Sequence, residues 1–360
     1  MLLSTSEDRY GERVTSSTLP ARALRWLSVA ATIGMLLVLI MGAAVTNTGS
    51  AEGCGRSWPM CNGQFIPEFT VATAIEYSHR VVSGIEGMLI LALAVVMLAR
   101  WRTDREVVML APLMLGALLL QAGLGAAAVV MPQSPAVLAS HFGVSLLAFA
   151  STFLSAVKVF ERTRPAAHHQ AAPLRSPPPG TPPPKAPAGL APPTIGVALY
   201  VMLVVYLGAY VRHAGVSLAC ADWPLCDGQL VPPLAAATGI VFAHRVAAIG
   251  VMVLLAWLAT RAQAAGMAPR IAWLAFGLSV AQALSGAFVV TSRLSLFSTL
   301  GHAALMALLF AALALLLRRV LTTTVSTAPT AIATAEPGPS PVGYAYDETF
   351  VKPASARTRG

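Results

Sequence analysis

Apolar and polar residues fall along this chain in long blocks, not in a short alternating period. Eight largely apolar blocks stand between polar turns, at about 23–45, 73–99, 107–131, 136–158, 194–214, 238–260, 270–291 and 297–318. A helix of about 20 apolar residues crosses the hydrocarbon of a bilayer. Only there does a chain need so long an apolar run, because each backbone N–H and C=O must be bonded within the protein. The pattern predicts an all-α membrane protein with eight transmembrane helices. The first block follows a polar leader, residues 1–22, is longer than a signal-peptide core and has no A-x-A pattern after it, so it is expected to be retained. Within 161–193 the stretch "RSPPPGTPPPKAPAGLAPP" reads as a proline-rich linker between helices 1–4 (23–160) and helices 5–8 (194–320). Residues 321–360, rich in Thr, Ala and Pro, carry no apolar period and are expected to be disordered.

The two groups of helices repeat one another. "CGRSWPMCNGQ" opens at Cys54 and "CADWPLCDGQ" at Cys220. Trp58, Pro59, Cys61, Gly63, Gln64, His79 and Arg80 recur at one constant offset as Trp223, Pro224, Cys226, Gly228, Gln229, His244 and Arg245. Gln121, Gly125 and His141 recur at another offset as Gln282, Gly286 and His302. An even number of helices per unit keeps both units in one orientation. The expected architecture is therefore two tandem four-helix bundles related by a pseudo-twofold axis along the membrane normal.

Only 11% of residues are charged, against about 25% in soluble domains, and the net charge is +9. The cations sit unevenly. Arg9, Arg13, Arg22 and Arg25 precede helix 1, Arg100, Arg102 and Arg105 follow helix 2, and Lys158, Arg162, Arg164, Arg175 and Lys185 follow helix 4. Arg261 and Arg270 flank the turn after helix 6, and Arg318 and Arg319 end helix 8. The opposite loops hold Arg56, Arg212 and Arg293. The positive-inside rule places both termini in the cytoplasm and both cysteine loops outside, in the cell membrane. This bias accounts for the net charge, and no nucleic-acid signal remains. All four cysteines then lie in an oxidising compartment in two close pairs, which predicts the disulfides Cys54–Cys61 and Cys220–Cys226. Four free thiols and a redox-active pair are the alternatives. No C-x-x-C or C-x-x-C-H is present, which argues against thioredoxin-like chemistry and ordinary c-type heme attachment.

His79, His141, His244 and His302 stand near the outer ends of the four even-numbered helices. Intramembrane ionisable residues are rare and tend to mark function. A lone one is commonly a satisfied interhelical hydrogen-bonder, but four in repeat register point to ligation. Two imidazoles on facing helices can clamp a flat macrocycle inside a bundle, which favours heme. Zinc wants three or four ligands together. His213, at the end of helix 5, is matched by Asn47 or Thr48 and reads as an interfacial polar residue. His168 and His169, in the linker, read as solvated bystanders.

The halves differ at one telling place. Glu76 precedes His79 by three residues on the same helix face, and Val241 takes its place before His244. A buried carboxylate beside a heme pocket can serve as acid, base or electrostatic stabiliser, or it can merely orient a ligand. Half one thus reads as the site of chemistry, and half two as a holder. Glu86, two turns further along the face, is a second intramembrane acid without an assigned role. Arg80 and Arg245 offer two-pronged hydrogen bonds to heme propionates, or serve as snorkelling interface anchors.

The set "SWPMCNGQFIPE", "IEYSHRVVSG", "WPLCDGQ" and "AHR", on an eight-helix duplicated layout, resembles the bacterial heme A synthase family over about residues 23–320, in its disulfide-bearing form. The resemblance implies oxidation of a ring methyl of heme O to the formyl group of heme A for terminal oxidase assembly. It implies heme O as substrate at His79 and His141, with Glu76 as catalytic acid, and a heme b cofactor at His244 and His302. Two hydroxylations and loss of water from a geminal diol would give the aldehyde. A heme O synthase, terminal oxidase assembly factors and an unidentified electron partner are the implied partners, beside membrane lipid. The rival from another class is a di-heme electron-transfer cytochrome, which accounts for four histidines but not for Glu76. A transporter of parallel repeats is weaker, because no Gly/Pro-broken helix pair recurs at midplane.

Overall fold

The computed structural model describes residues 19–131, 134–164, 189–234 and 236–326. The leader, most of the proline-rich linker with His168 and His169, and the tail beyond residue 326 lie outside the described residues. Eight helices follow in order: α1 (Ala21–Asn47), α2 (Val71–Trp101), α3 (Arg105–Val130), α4 (Pro135–Arg162), α5 (Ala191–His213), α6 (Ala236–Ala264), α7 (Pro269–Thr291) and α8 (Leu296–Ser326). All eight are long and apolar enough to cross a membrane, and no β-strand occurs among the described residues. Local signals set several starts. The Thr70 hydroxyl accepts from Thr73 N at 3.2 Å, the Asp104 carboxylate accepts from Glu106 N at 3.0 Å, and prolines occupy the first turn of α4, α5 and α7.

The helices run past the apolar blocks at several ends, most of all in α8, which continues to Ser326. Hydropathy stops at the arginines, but the helix does not. The Thr322 and Thr323 hydroxyls bond back to the carbonyls of Arg318 and Arg319 at 2.9 Å each, so their polar atoms are met within the helix.

Within the first group α1 packs on α2 and α4, and α3 packs on α2 and α4, closing a ring of four. The second group repeats this with α5 on α6 and α8, and α7 on α6 and α8. The rings meet where α4 packs on α5 and α8, and α1 on α8. The helices that meet here bury many small residues: Ala139, Gly143, Ala148, Ser151 and Ser155 on α4, Gly143 lying toward Met202 of α5, and Ala303, Ala307 and Ala311 on α8. In lipid, close approach of backbones replaces the hydrophobic drive as the source of helix association. The larger apolar side chains Ile33, Leu91, Leu119, Leu199 and Val253 point outward instead.

The arginine-rich end is tied by charge. Arg318, only 9% exposed, bonds Glu106 and Glu161, and Lys158 reaches Asp104 at 2.9 Å and Glu106 at 2.8 Å. Asp104 lies just outside the spanning segment. Burial pushes its carboxyl up, but the Lys158 ammonium and the backbone amides of Glu106 and Val107 together hold it below the usual carboxylate range.

At the opposite end the disulfides Cys54–Cys61 and Cys220–Cys226 close the two loops. Each loop folds over the same tight turn. Asn62 and Gly63 have φ of 51° and 75°, Asp227 and Gly228 of 52° and 72°. Two successive positive φ angles are what a type I′ turn requires, which favours Asn-Gly and Asp-Gly. Cys61 and Gln64 exchange backbone hydrogen bonds of 3.0 Å across it, and Cys226 and Gln229 bonds of 2.9 and 3.0 Å. The repeated C-[ND]-G-Q is thus a turn signal as well as a disulfide end.

Candidate functional site

The disulfide loops sit on the helices that carry the candidate chemistry. The Thr73 hydroxyl donates to Gly53 O at 2.9 Å, and a Cβ on Gly53 would meet the Ala72 backbone, so the first loop lies against the start of α2. One turn on, Glu76 is 4% exposed. Its Oε2 accepts from Cys54 N at 2.8 Å and its Oε1 from Arg80 Nη2 at 2.5 Å. Arg80 Nη1 donates to the loop carbonyls of Ser57 and Met60 at 2.7 and 2.8 Å. In half two Arg245 donates to Leu225 O at 2.6 Å and Cys220 O at 2.9 Å. Val241, in the place of Glu76, packs instead in a small apolar cluster with Cys220, Cys226 and Val211. Both arginines therefore tie loop to helix, and only the first does so through a carboxylate.

Beneath the loops lies one cavity of about 710 Å³, open to both rings. His79, His141, His244 and His302 all line it, as do Glu76, Arg80, Arg245, Trp58 and Trp223. In each ring the two histidines come from helices standing across from one another, α2 and α4, then α6 and α8. Each imidazole rests on a glycine of the preceding helix. A Cβ would stand 3.3 Å from His79 Cε1 at Gly42, 3.2 Å from His141 at Gly125, 2.6 Å from His244 at Gly208 and 3.3 Å from His302 at Gly286. No larger residue leaves these rings where they are. The Nδ1 atoms of His79, His141 and His244 are buried without a hydrogen-bond partner, as are Gln121 Oε1 and Gln282 Oε1. His302 differs, for its Nδ1 lies 2.7 Å from Ser285 Oγ and its ring nitrogens 3.0 and 3.2 Å from Gln282 Nε2. Among the described residues no three His, Cys, Asp or Glu side chains converge as a metal-ion cluster.

Buried imidazoles, three of the four with an unmet nitrogen, paired across each ring beside a shared cavity, would suit a flat iron macrocycle, with two imidazoles per ring to hold it and apolar walls for a porphyrin face.

The contrast between the halves is wider than Glu76 alone. Down one face of α2 run Glu76, His79, Ser83 and Glu86, and the matching places on α6 hold Val241, His244, Ala248 and Val251. Ser83 lines the cavity and donates to His79 O at 2.7 Å. Glu86 is 2% exposed, with neither oxygen hydrogen-bonded, and lies against Gly34 of α1. His213 also lines the cavity beside Arg212, which stands in the last turn of α5 and not in the loop that follows.

A family model described as cytochrome oxidase assembly protein matches residues 25–314. The chain belongs to this family. Similar proteins include the heme A synthase of Symbiobacterium thermophilum, 42% identical over 290 residues, covering 79% of this chain and 91% of that protein. The heme A synthase of Bacillus licheniformis is 41% identical over 299 residues, covering 80% and 93%. That of Geobacillus kaustophilus is 40% identical over 313 residues, covering 84% and 93%. The family match runs from near the start of α1 to beyond the middle of α8, so both loops, all four cavity histidines and Glu76 fall inside it.

Proposed function

We propose that this chain oxidises a ring methyl of heme O to the formyl group of heme A. The first ring takes the substrate at His79 and His141, and the second keeps a heme b at His244 and His302. The observation that carries the reading is the lopsided cavity: two histidine pairs in one register, with a carboxylate beside only one of them. The two rings are read as copies of one duplicated bundle, oriented alike, with both termini in the cytoplasm and the disulfide loops outside. The family name and the relatives' names support the activity.

Turning a methyl into a formyl group removes four electrons overall and adds one oxygen atom; a heme bound here would supply the redox route, and the net electron acceptor and the oxygen come from outside the chain. The protein's share is placement and proton handling. His79 and His141 hold and orient the substrate, and their glycine seats fix the ring planes. Glu76 is the acid or base at the reacting side, with Arg80 and the Cys54 amide holding its carboxylate in position. Apolar walls keep bulk water from the reacting carbon. Heme O would come from a heme O synthase, and heme A would pass to terminal oxidase assembly.

The test is to purify the full chain from a host that makes heme O and to extract its pigments. Heme b together with heme O or heme A is expected. His244→Ala or His302→Ala should strip heme b, whereas His79→Ala or His141→Ala should leave it and end conversion. Heme b alone, with no turnover of added heme O, would make the chain an electron-transfer cytochrome. Equal loss of one absorbing species in all four variants would overturn the division between the rings.

A further inference from the structure

Arg212 is the next-to-last residue of α5 and lines the cavity. Its Nε donates to Asn47 Oδ1 at 2.9 Å and its Nη2 to Thr46 O at 3.3 Å, both at the end of α1. Nη1 makes no hydrogen bond among the described residues, and no carboxylate there pairs with this guanidinium. The contrast with its fellows is plain. Arg318 faces two glutamates, Arg80 holds Glu76, and the Nη groups of Arg80 and Arg245 are already donated to loop carbonyls. Arg212 is half-buried on the cavity wall, and a guanidinium there with a free Nη1 and only neutral acceptors is available to an anion from outside the chain.

Its surroundings indicate which ring that anion occupies. Both acceptors of Arg212 belong to the first ring. His213 lines the same cavity within electrostatic reach of His141, also in the first ring. With Gly42 set against Gly208, the places in α1 that match Arg212 and His213 hold Thr46 and Asn47. Only the second ring supplies a guanidinium at this level, with an imidazole beside it, and its hydrogen bonds run to the ring that has Glu76.

We propose that Arg212 and His213 form a carboxylate-binding site, contributed by the second ring, that anchors a propionate side arm of the porphyrin held by His79 and His141. Guanidinium–carboxylate bonds are charge-assisted and directional, so they fix the rotation of the porphyrin about its iron axis. That rotation decides which ring methyl faces Glu76. Asn47 acts as a positioning residue that holds the guanidinium toward the cavity. The substrate site is then incomplete without the second ring. This inference rests on the proposed substrate reading.

The test titrates the purified, heme b-loaded full chain with heme O and with heme O dimethyl ester, whose propionates are capped, and follows the absorbance change. The wild type should bind the free acid about tenfold or more tightly than the ester, as a charge-assisted hydrogen bond implies. Arg212→Gln should bring the two within about twofold, on the same reasoning, with heme b content unchanged. Arg212→Lys should keep part of the preference, and His213→Gln should lose a smaller part. If Arg212→Gln does not fold, Asn47→Ala reads the same ratio with the charge retained, and its preference should fall. Undiminished preference in Arg212→Gln, or in Asn47→Ala where that variant stands in for it, overturns the anchor. So does a wild type that binds both ligands alike, or a variant that loses only heme b. A wild type that binds neither ligand overturns the substrate reading instead.

Discussion

At Glu76 one carboxylate meets the Cys54 amide at 2.8 Å and Arg80 at 2.5 Å while its side chain lines the cavity with His79. That geometry allows two duties, clamping the loop and moving a proton, and a single substitution can separate them. Glu76→Gln keeps an oxygen for the Cys54 amide but removes the charge and the titrating proton. Arg80 would retain its two loop carbonyls, so the loop should stay seated. If the carboxylate is the acid or base, conversion of heme O should fall roughly 100-fold or more while heme b is retained, since positioned acid–base groups contribute about 10²–10⁴-fold. The rate at which a mild reductant opens Cys54–Cys61 serves as the control. A variant that loses activity in proportion to faster disulfide opening would show Glu76 to be only a clamp. At the other loop Asp222, in the place of Ser57, accepts from Gly228 N at 2.8 Å and Asp227 N at 2.6 Å. These bonds, that from Gly228 first, hold its carboxyl below the usual range, so its support of the turn is full above that range and is lost progressively as the pH falls through it to the lower native value.

Between α2 and α6 the same helix has been tuned in two ways. The α2 face reads Glu76, His79, Ser83, Glu86, and the α6 face reads Val241, His244, Ala248, Val251. Glu86 has no hydrogen bond and sits where a Cβ on Gly34 would collide with its carboxylate, so Gly34 is the space this acid needs. Burying a polar group unmet costs about 1–3 kcal/mol on mutational scales. Glu86→Val, the residue found at the matching place, should therefore stabilise the chain by about that much in detergent unfolding. Gly34→Ala should destabilise it, and less so when Glu86 is already Val, because the two share one space. A Glu86→Val chain that is less stable would mean the carboxyl has a partner the packing does not reveal. Much of this level was legible in advance. The eight spans follow from the width of the hydrocarbon, and the four histidines and Glu76 stood out because the repeat supplies its own control. The glycine seats were only half visible. Gly125 and Gly286 fall in register, but their partners are side chains sixteen residues further on in the next helix, a pairing that only packing sets. The Arg80–Glu76–Cys54 tie and the reach of Arg212 to α1 were not legible, because they join segments with no periodic relation. The end of α8 is not legible from hydropathy, because threonine hydroxyls let the helix continue beyond its arginines.

The two rings are held together at both ends by an arginine of the second reaching into the first: Arg318 to Glu106 and Glu161, and Arg212 to Asn47 and Thr46. Between them α4 and α8 bury apolar side chains, small and large, and apolar packing carries little direction of its own. The polar ties are thus placed to fix the register of the rings, and with it the shape of the shared cavity. Removing one partner of a buried ion pair costs roughly 3–5 kcal/mol. The lower end applies to Arg318→Ala, since the Glu161 side chain is 37% exposed and Glu106 keeps Lys158. A melt followed by circular dichroism should show that loss. The ties stand at opposite ends of helices that are about 1.5 Å long per residue, tens of ångströms apart. If the rings deform locally, Arg318→Ala and Asn47→Ala should add to within about 0.5 kcal/mol. If instead each ring is a rigid body hinged on the seam, losing one tie lets the rings swing and weakens the other, and the double variant falls short of the sum. Additivity together with unchanged heme O affinity in Arg318→Ala would show that the cavity is shaped from the disulfide end alone. A drop in that affinity, from a residue at the far end of α8, would show that the register of the rings sets the substrate site.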